Sequence, residues 1–275
     1  MFDTHCHLNF KAYKKTLDEV ISQAQSAGVK KILIPGTDVK TSRRAIEIAE
    51  QYDWMYVAVG IHPHHVYKLL KRDASNANEE LAQIEELAAH QKVVAIGEIG
   101  MDRHEYTETV YAEYNVDERF VAMQKELFIK QMQLAIKLKK SLILHNREAV
   151  GDILPLIEEN WDQVLEGRTV FHCCEPRQDL LDFAKKHKMY LGVDGDITFI
   201  TEKQEFIPTV PSDMLVLETD SPFLLPEPLR SQKRYPNKPS HITIVAETVA
   251  KLRKVTVDEL VTQTSTNAEK LFNIA

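Results

Sequence analysis

His5 and His7 flank Cys6 in the run Met-Phe-Asp-Thr-His-Cys-His-Leu-Asn at the start of the chain. Side chains alternate along a strand, so the two imidazoles project to one face, where they can grip a divalent metal. Further metal-binding residue types recur down the chain, each at the end of a short apolar run. His62, His64 and His65 stand in Gly-Ile-His-Pro-His-His, Glu98 in Val-Val-Ala-Ile-Gly-Glu-Ile-Gly-Met-Asp, and His145 in Leu-Ile-Leu-His-Asn-Arg. His172 stands in Val-Phe-His-Cys-Cys, and Asp220 in Leu-Val-Leu-Glu-Thr-Asp-Ser-Pro. A lone histidine at a strand end is commonly a structural residue. A carboxylate inside an apolar strand is different, because even a neutral polar group buried without partners costs roughly 2–7 kcal/mol. Glu98 and Asp220 therefore need cations or hydrogen bonds, and His5, His7, His145 and His172 are their natural complement. Six ligands, two of them carboxylates, exceed what one tetrahedral zinc uses. They suit two metals bridged by a carboxylate and a hydroxide, the arrangement of a metallohydrolase.

Short apolar strands alternate with amphipathic helices throughout. The pattern predicts strands at 2–8, 31–36, 55–61, 93–100, 141–146, 169–173, 189–195 and 215–220. Helix-period segments lie at 13–27, 41–51, 78–90, 117–139, 149–160 and 180–187, with two more at 243–252 and 257–272. Such alternation predicts a parallel sheet with helices outside it. Eight units point to a single (β/α)8 TIM barrel over residues 1–275, with its site at the C-terminal ends of the strands. A doubly wound open sheet is the competing arrangement; it would gather ligands at one switch point rather than at many strand ends. The seventh unit is weak, since residues 198–211 show only a short helical pattern. The proline-rich stretch Pro222–Pro239 reads as a long loop, and such loops in compact domains are often functional.

The composition is that of an ordinary globular chain: 275 residues, 44% hydrophobic and 27% charged. Three cysteines, Cys6, Cys173 and Cys174, form no disulfide framework and indicate a reducing compartment. The start of the chain lacks a basic region followed by an apolar stretch, and no apolar run is long enough to span a bilayer, so a cytoplasmic protein is expected. A net charge of −7 argues against a sequence-independent coat on nucleic acid but leaves room for a nucleic-acid enzyme. Arg230, Lys233, Arg234 and Lys238 form a late basic stretch, readable as a solvated loop or as a phosphate clamp at the barrel mouth. By strand parity Cys174 shares the face of His172, although an inert buried thiol is its simpler role. Cys6 and Cys173 are expected to face the helical layer.

The phrases Phe-Asp-Thr-His-Cys-His, Gly-Ile-His-Pro-His, Gly-Glu-Ile-Gly-Met-Asp, Leu-His-Asn-Arg, Phe-His-Cys, Leu-Glu-Thr-Asp-Ser-Pro and the late Asn267-Ala268-Glu269-Lys270-Leu271-Phe272 resemble, in matching order, the TatD family of metal-dependent DNases. That family lies within the amidohydrolase-like TIM-barrel superfamily. The resemblance implies two divalent metals, Mg, Mn or Zn, with His5, His7 and Asp220 on one, His145 and His172 on the other, and Glu98 bridging. It further implies that Asp220 orients the nucleophile and accepts its proton, and that the substrate is single-stranded DNA cleaved from its 3′ end. No protein partner and no membrane are implied. His62 and His64 would touch substrate phosphate or an additional metal, unless Pro63 merely turns a loop of solvated histidines. Arg147 would hold a phosphate or pair with a carboxylate on the barrel top. Glu218, with the parity of Asp220 but deeper, would be a supporting residue or a buried carboxylate paired locally. The sequence departs from the family at Cys174-Glu175-Pro176 and at Arg103-His104-Glu105-Tyr106, both in loops over the mouth. Related barrels hydrolyse other esters and amides, which is the alternative reading. Tyr106, Tyr111, Tyr114 and Phe199 are candidates for stacking on bases.

Overall fold

A computed structural model of the protein describes residues 1–70, 74–109, 111 and 114–274. Eight parallel strands follow one another in chain order: β1 (Phe2–Asp3), β2 (Lys31–Pro35), β3 (Met55–Val59), β4 (Val93–Asp102), β5 (Ser141–Arg147), β6 (Thr169–Phe171), β7 (Tyr190–Val193) and β8 (Leu215–Leu217). Three backbone hydrogen bonds close the ring between its first and last members. Thr4 N donates to Leu217 O (3.1 Å), Asp220 N to His5 O (2.9 Å) and His7 N to Ser221 O (2.8 Å). The fold is therefore the (β/α)8 barrel, and the open sheet is excluded.

One residue from each strand fills the lower barrel: Phe2, Leu33, Ala58, Ala95, Ile143, Val170, Tyr190 and Val216. Ala268, Leu271 and Phe272 of the last helix join them and plug that end. The larger apolar layer lies between the strands and the helices that wrap them. Burial of that layer drives the fold at about 25 cal/mol per Å² of apolar surface.

Among the described residues the helices are α1 (Leu17–Ser26), α2 (Val39–Ala49), α3 (Pro63–Leu70), α4 (Ala74–Ala88), α5 (Glu118–Leu138), α6 (Val150–Asn160), α7 (Gln178–Lys186), α8 (Thr201–Phe206), α9 (Ile242–Arg253) and α10 (Val257–Phe272). Local chemistry sets their ends. Asp38 and Thr41 cap α2 reciprocally, Asp117 accepts from Phe120 N at the start of α5, and Thr256 with Glu259 caps α10. Lys139, Lys254 and Asn273 end α5, α9 and α10 in the left-handed conformation.

Three differences from the sequence expectation bear on the site. Helix α3 occupies a segment to which the sequence pattern assigns no helix; Pro63 sits at its first position, where the missing N–H costs nothing. The first strand leaves the ladder after Asp3, although Thr4 still bonds Leu217 of β8, Cys6 bonds Leu33 of β2, and His5 and His7 bond the chain just beyond β8. Strand β4 runs two residues further than expected, to Asp102. Helix α5 holds that extension with one buried glutamine and the chain leaving β3 with a second. Gln124 accepts from Asp102 N (2.8 Å) and donates to Asp102 O (2.9 Å); Gln131 does the same for Ile61 (2.7 and 3.2 Å). The weak seventh unit carries the short α8. No helix among the described residues is long and apolar enough to cross a membrane.

Candidate metal centre

Glu98 stands at the centre of the barrel mouth, and a β-bulge puts it there. Between Ile96 and Ile99 strand β4 advances three residues while its partner β5 advances two, from Leu142 to Leu144. The extra residue re-aims the side chain, as bulges beside active sites do. Two residues on, Gly100 has φ +151, and a Cβ there would lie 1.9 Å from the His145 carbonyl oxygen; only glycine lets β4 and β5 meet at this level.

The two oxygens of Glu98 face two different groups. Oε1 lies 3.2 Å from His62 Nε2, 2.8 Å from His145 Nδ1 and 2.7 Å from His172 Nε2. Oε2 lies 3.4 Å from His5 Nε2 and 3.6 Å from His7 Nε2. Asp220 Oδ1 completes the second group, 3.7 Å from His5 Nε2 and 3.4 Å from His7 Nε2. Asp220 takes a left-handed backbone (φ 47), a conformation that aspartate tolerates better than most residues. Its amide bond to His5 O ties it to the first strand.

Within each group ring nitrogens crowd together. His5 Nε2 and His7 Nε2 are 3.2 Å apart, and His145 Nδ1 and His172 Nε2 are 3.1 Å apart. Lone pairs at that distance need a proton or a cation between them. Donor atoms of His5, His7 and Asp220, and likewise of His62, Glu98 and His145, converge within 4.8 Å of one another, close enough to share an ion. Imidazole with carboxylate is a donor set suited to zinc or manganese.

The electrostatics follow from burial and neighbours. Burial opposes the charge on Glu98, but His62, His172 and His5 outweigh it and hold the carboxyl well below its usual range. Burial and the nearby His172 bring His5 down to about 4, a neutral ring ready to act as a ligand. His145 is the opposite case: burial works against its charge, yet Asp102 and Glu98 raise it to about 10.

Supporting residues fix these rings. Asp102, fully buried, lies 3.3 Å from His145 Nε2 and accepts from Tyr106 OH (2.8 Å) and His104 N (2.9 Å). Burial alone would raise its carboxyl, but His145, His62 and the His104 amide bring it down to about 2. No role follows for Asp102 from the sequence. The available signal is its position, two residues beyond Glu98 plus two more, on the same face of the strand. Asp3 lies beneath the other group, accepting from Thr219 Oγ1 (2.7 Å), Thr219 N (3.0 Å) and His5 N (3.3 Å), and burial pushes it up to about 7. Glu218 occupies a supporting position too. Its Oε1 accepts from Cys173 N (2.5 Å) and lies 3.8 Å from His172 Nδ1, and it fills the space where a side chain on Gly192 would stand.

The remaining candidates divide. His62 lies at the mouth against Glu98 and shares with it and His145 one of the clusters of converging donor atoms. His64 turns away into an aromatic pocket of Tyr106, Tyr111 and Tyr114, with Nε2 2.9 Å from Thr109 Oγ1. Arg147 is exposed, donates to Tyr106 OH (3.1 Å) and lies over that ring at 4.9 Å, so it engages a phenol instead of a carboxylate. Cys6 packs in the outer apolar layer as expected. Cys173 corrects the parity argument. Strand β6 ends at Phe171 and Cys173 has φ 45, so alternation stops there. Its thiol meets polar groups of the seventh unit and not the apolar layer: it lies 3.6 Å from Nζ of Lys203 on α8 and 4.0 Å from Asp196 Oδ2. That buried cluster of Asp194, Asp196 and Lys203 beside β7 has no counterpart in the sequence reading.

The model of the TatD related DNase family matches residues 2–273. The metal-dependent hydrolase YabD of Bacillus subtilis is 37% identical over 276 residues, covering all of this chain and 99% of that protein. The 3′-5′ ssDNA/RNA exonuclease TatD of Escherichia coli K12 is 32% identical over 284 residues, covering all of both chains. The crystal structure of YjjV, a TatD homologue from Escherichia coli K12, superposes with a TM-score of 0.83 at 27% identity, covering all of this chain and 98% of that one.

Proposed function

Because this chain belongs to the TatD related DNase family, we propose that it is a metal-dependent phosphodiesterase that shortens single-stranded DNA from its 3′ end. The observation that carries the reading is the division of Glu98, one oxygen toward His62, His145 and His172 and the other toward His5 and His7. In this reading His5, His7 and Asp220 would hold one divalent ion and His145 and His172 a second, with Glu98 as the carboxylate shared between them, and Mg, Mn or Zn as the candidates. When bound, such ions polarise a phosphoryl oxygen and acidify water to near-neutral pKa.

The chain's own residues do the rest. Asp220 orients the attacking water and takes its proton. Asp102 holds His145 by its Nε2 edge, leaving Nδ1 directed at the centre, the usual arrangement of a carboxylate behind a ligating histidine. His62 closes the wall of the centre beside Glu98. Arg147 lies exposed over Tyr106, where a guanidinium suits a phosphate, and His64 packs against the same ring. A cytoplasmic setting agrees with three free cysteines.

The test is single-stranded DNA labelled at its 5′ end, incubated with Mg2+ or Mn2+, with Asp220→Asn alongside. A ladder that shortens stepwise from the 3′ end, absent with the variant and with EDTA, is the expected result. Intact DNA after incubation with folded, metal-loaded protein overturns the DNA assignment and moves the search to other esters and amides.

A further inference from the structure

Phe223 exposes half of its side-chain surface at the rim of the metal centre, at 51%. Its ring sits edge-on to two others: 6.2 Å from the His7 ring and 6.0 Å from Phe10, which itself lies flat on His7 at 4.3 Å. The three rings form a stepped aromatic surface that begins on a residue of the centre and ends in solvent. Single exposed apolar residues are common and mean little. This one is distinguished by how firmly it is held.

The backbone on both sides of Phe223 is clasped by one residue, Asn237, which is fully buried. Asn237 N donates to Pro222 O (3.1 Å), and its side-chain amide donates to Leu224 O (3.3 Å) and Thr219 O (2.9 Å). Tyr13 OH bonds the Asn237 carbonyl from the opposite wall. Phe223 N itself donates to Asp220 O (2.9 Å). The ring is thus presented to solvent by a fixed loop. The same loop carries Lys233, Arg234 and Tyr235, all exposed, and Arg230, whose guanidinium lies 4.2 Å over the Phe199 ring.

A ring surface for a base and cations for a backbone are the two components of a single-strand nucleic-acid site. We propose that Phe223, backed by Phe10, is the stacking platform for an unpaired base flanking the phosphate held at the metal centre, with Lys233 and Arg234 beside the departing strand. The inference rests on the nuclease reading and adds the subsite that would make the enzyme read a nucleotide rather than a bare phosphodiester. The rings present only apolar faces and edges here, so the platform accepts any of the four bases.

The experiment compares three oligonucleotides of one sequence: unmodified, abasic at the 3′-terminal residue, and abasic at the residue before it. kcat/KM is measured on each with metal-loaded protein. The wild type is expected to lose activity when one of those bases is removed, by about five- to 150-fold, the range that base stacking on an aromatic ring supports. Phe223→Ala and Phe223→Leu are expected to abolish that discrimination, the second despite keeping apolar bulk, and Phe223→Trp to restore it. A Phe223→Ala protein that keeps the wild-type discrimination overturns the platform. So does a wild type that degrades all three substrates equally, and in that case the nuclease reading stands. A wild type that cleaves none of the three overturns both.

Discussion

Asp102→Asn isolates what one supporting carboxylate contributes to the centre. Asparagine keeps the size of the side chain and can still accept from His104 N, whose bond to Oδ1 is 2.9 Å, while removing the charge that faces His145 Nε2 at 3.3 Å. Two routes give the magnitude. A hydrogen bond to a charged group contributes about 1.5–3 kcal/mol. Loss of an outer partner of a ligating histidine typically costs 10–100-fold in metal affinity, or about 1.4–2.8 kcal/mol. The routes agree, so the expected outcome is a 10–100-fold weaker hold on the ion nearest His145. An amide Nδ2 turned toward His145 would also disfavour the tautomer that leaves Nδ1 free for the centre. The assay is a competition titration of Zn2+ or Mn2+ against a chromophoric chelator at fixed pH, with thermal unfolding as the control for fold. Metal affinity within twofold of wild type, in a variant that melts normally, would refute the assigned role of Asp102.

The Lys203 cluster and the Arg103–Asp152 pair give two further predictions. Lys203 Nζ is buried 2.6 Å from Asp196 Oδ2 and 3.8 Å from Asp194 Oδ2; burial and Asp194 together push Asp196 up to about 8. Lys203→Met leaves the buried Asp194–Asp196 pair without its cation and should cost about 3–5 kcal/mol in urea unfolding, much of it recovered by adding Asp194→Asn and Asp196→Asn; a single variant as stable as wild type would sink the argument. Asp152 is held by Arg103 (2.5 and 3.1 Å) and Lys125 (2.7 Å), and chiefly the Arg103 bonds lower it from 3.8 to about 2. A carboxyl lowered on folding contributes stability that is present above about pH 4 and lost as pH falls toward 2. After allowance for solvent screening the contribution is about 1 kcal/mol. The urea midpoint of Asp152→Asn should therefore fall less steeply than that of wild type below pH 4, and parallel curves would contradict it.

The barrel was legible because its evidence is periodic. Short apolar runs alternating with amphipathic helices admit few arrangements, and residues of metal-binding type at the ends of five strands agree only with the closed one. His5, His7, Glu98, His145, His172 and Asp220 come together because strand ends converge, which needs no knowledge of side-chain packing. What stayed hidden depends on irregular backbone or on buried polar contacts. The bulge at Gly97–Glu98 changes register without changing composition. The left-handed turn at Cys173 breaks the alternation that gives Cys174 the parity of His172, and Cys174 is buried in the outer apolar layer, in its simpler role as a packed thiol. Gln124 and Gln131 lie on a helix face that reads as ordinary in sequence, yet they are buried and clamp the outlets of two strands. Helix α3 was obscured because its first turn, Pro63-His64-His65, looked like a histidine-rich loop. Asp194 and Asp196 gave no signal at all, since acidic residues after a strand are usually solvated.

The distribution of buried charge ties fold to chemistry. Among the described residues Asp3, Glu98, Asp102, Asp194, Asp196 and Glu218 are buried, and Lys203 is the buried counter-cation of lysine or arginine type. All six acids lie at the mouth end of the barrel, above an apolar ring that takes one side chain from every strand. A stability-driven sequence would avoid this arrangement, because burying carboxylates is costly unless cations or hydrogen bonds compensate. The chain meets part of the demand by holding protons: burial pushes Asp3 up to about 7 and Glu218 well above its ordinary range. It meets another part with Lys203. Glu98 and Asp102 take neither course; histidines hold both in the charged form. Glu98 and Asp102 thus lie on opposite sides of His145 and Asp194, despite burial, is lowered chiefly by Lys203, while burial pushes up Asp3, Asp196 and Glu218 around them. That is the order expected if the centre offers negative charge to cations at Glu98 while Asp3 and Glu218, pushed up by burial, serve as hydrogen-bonding struts beside it.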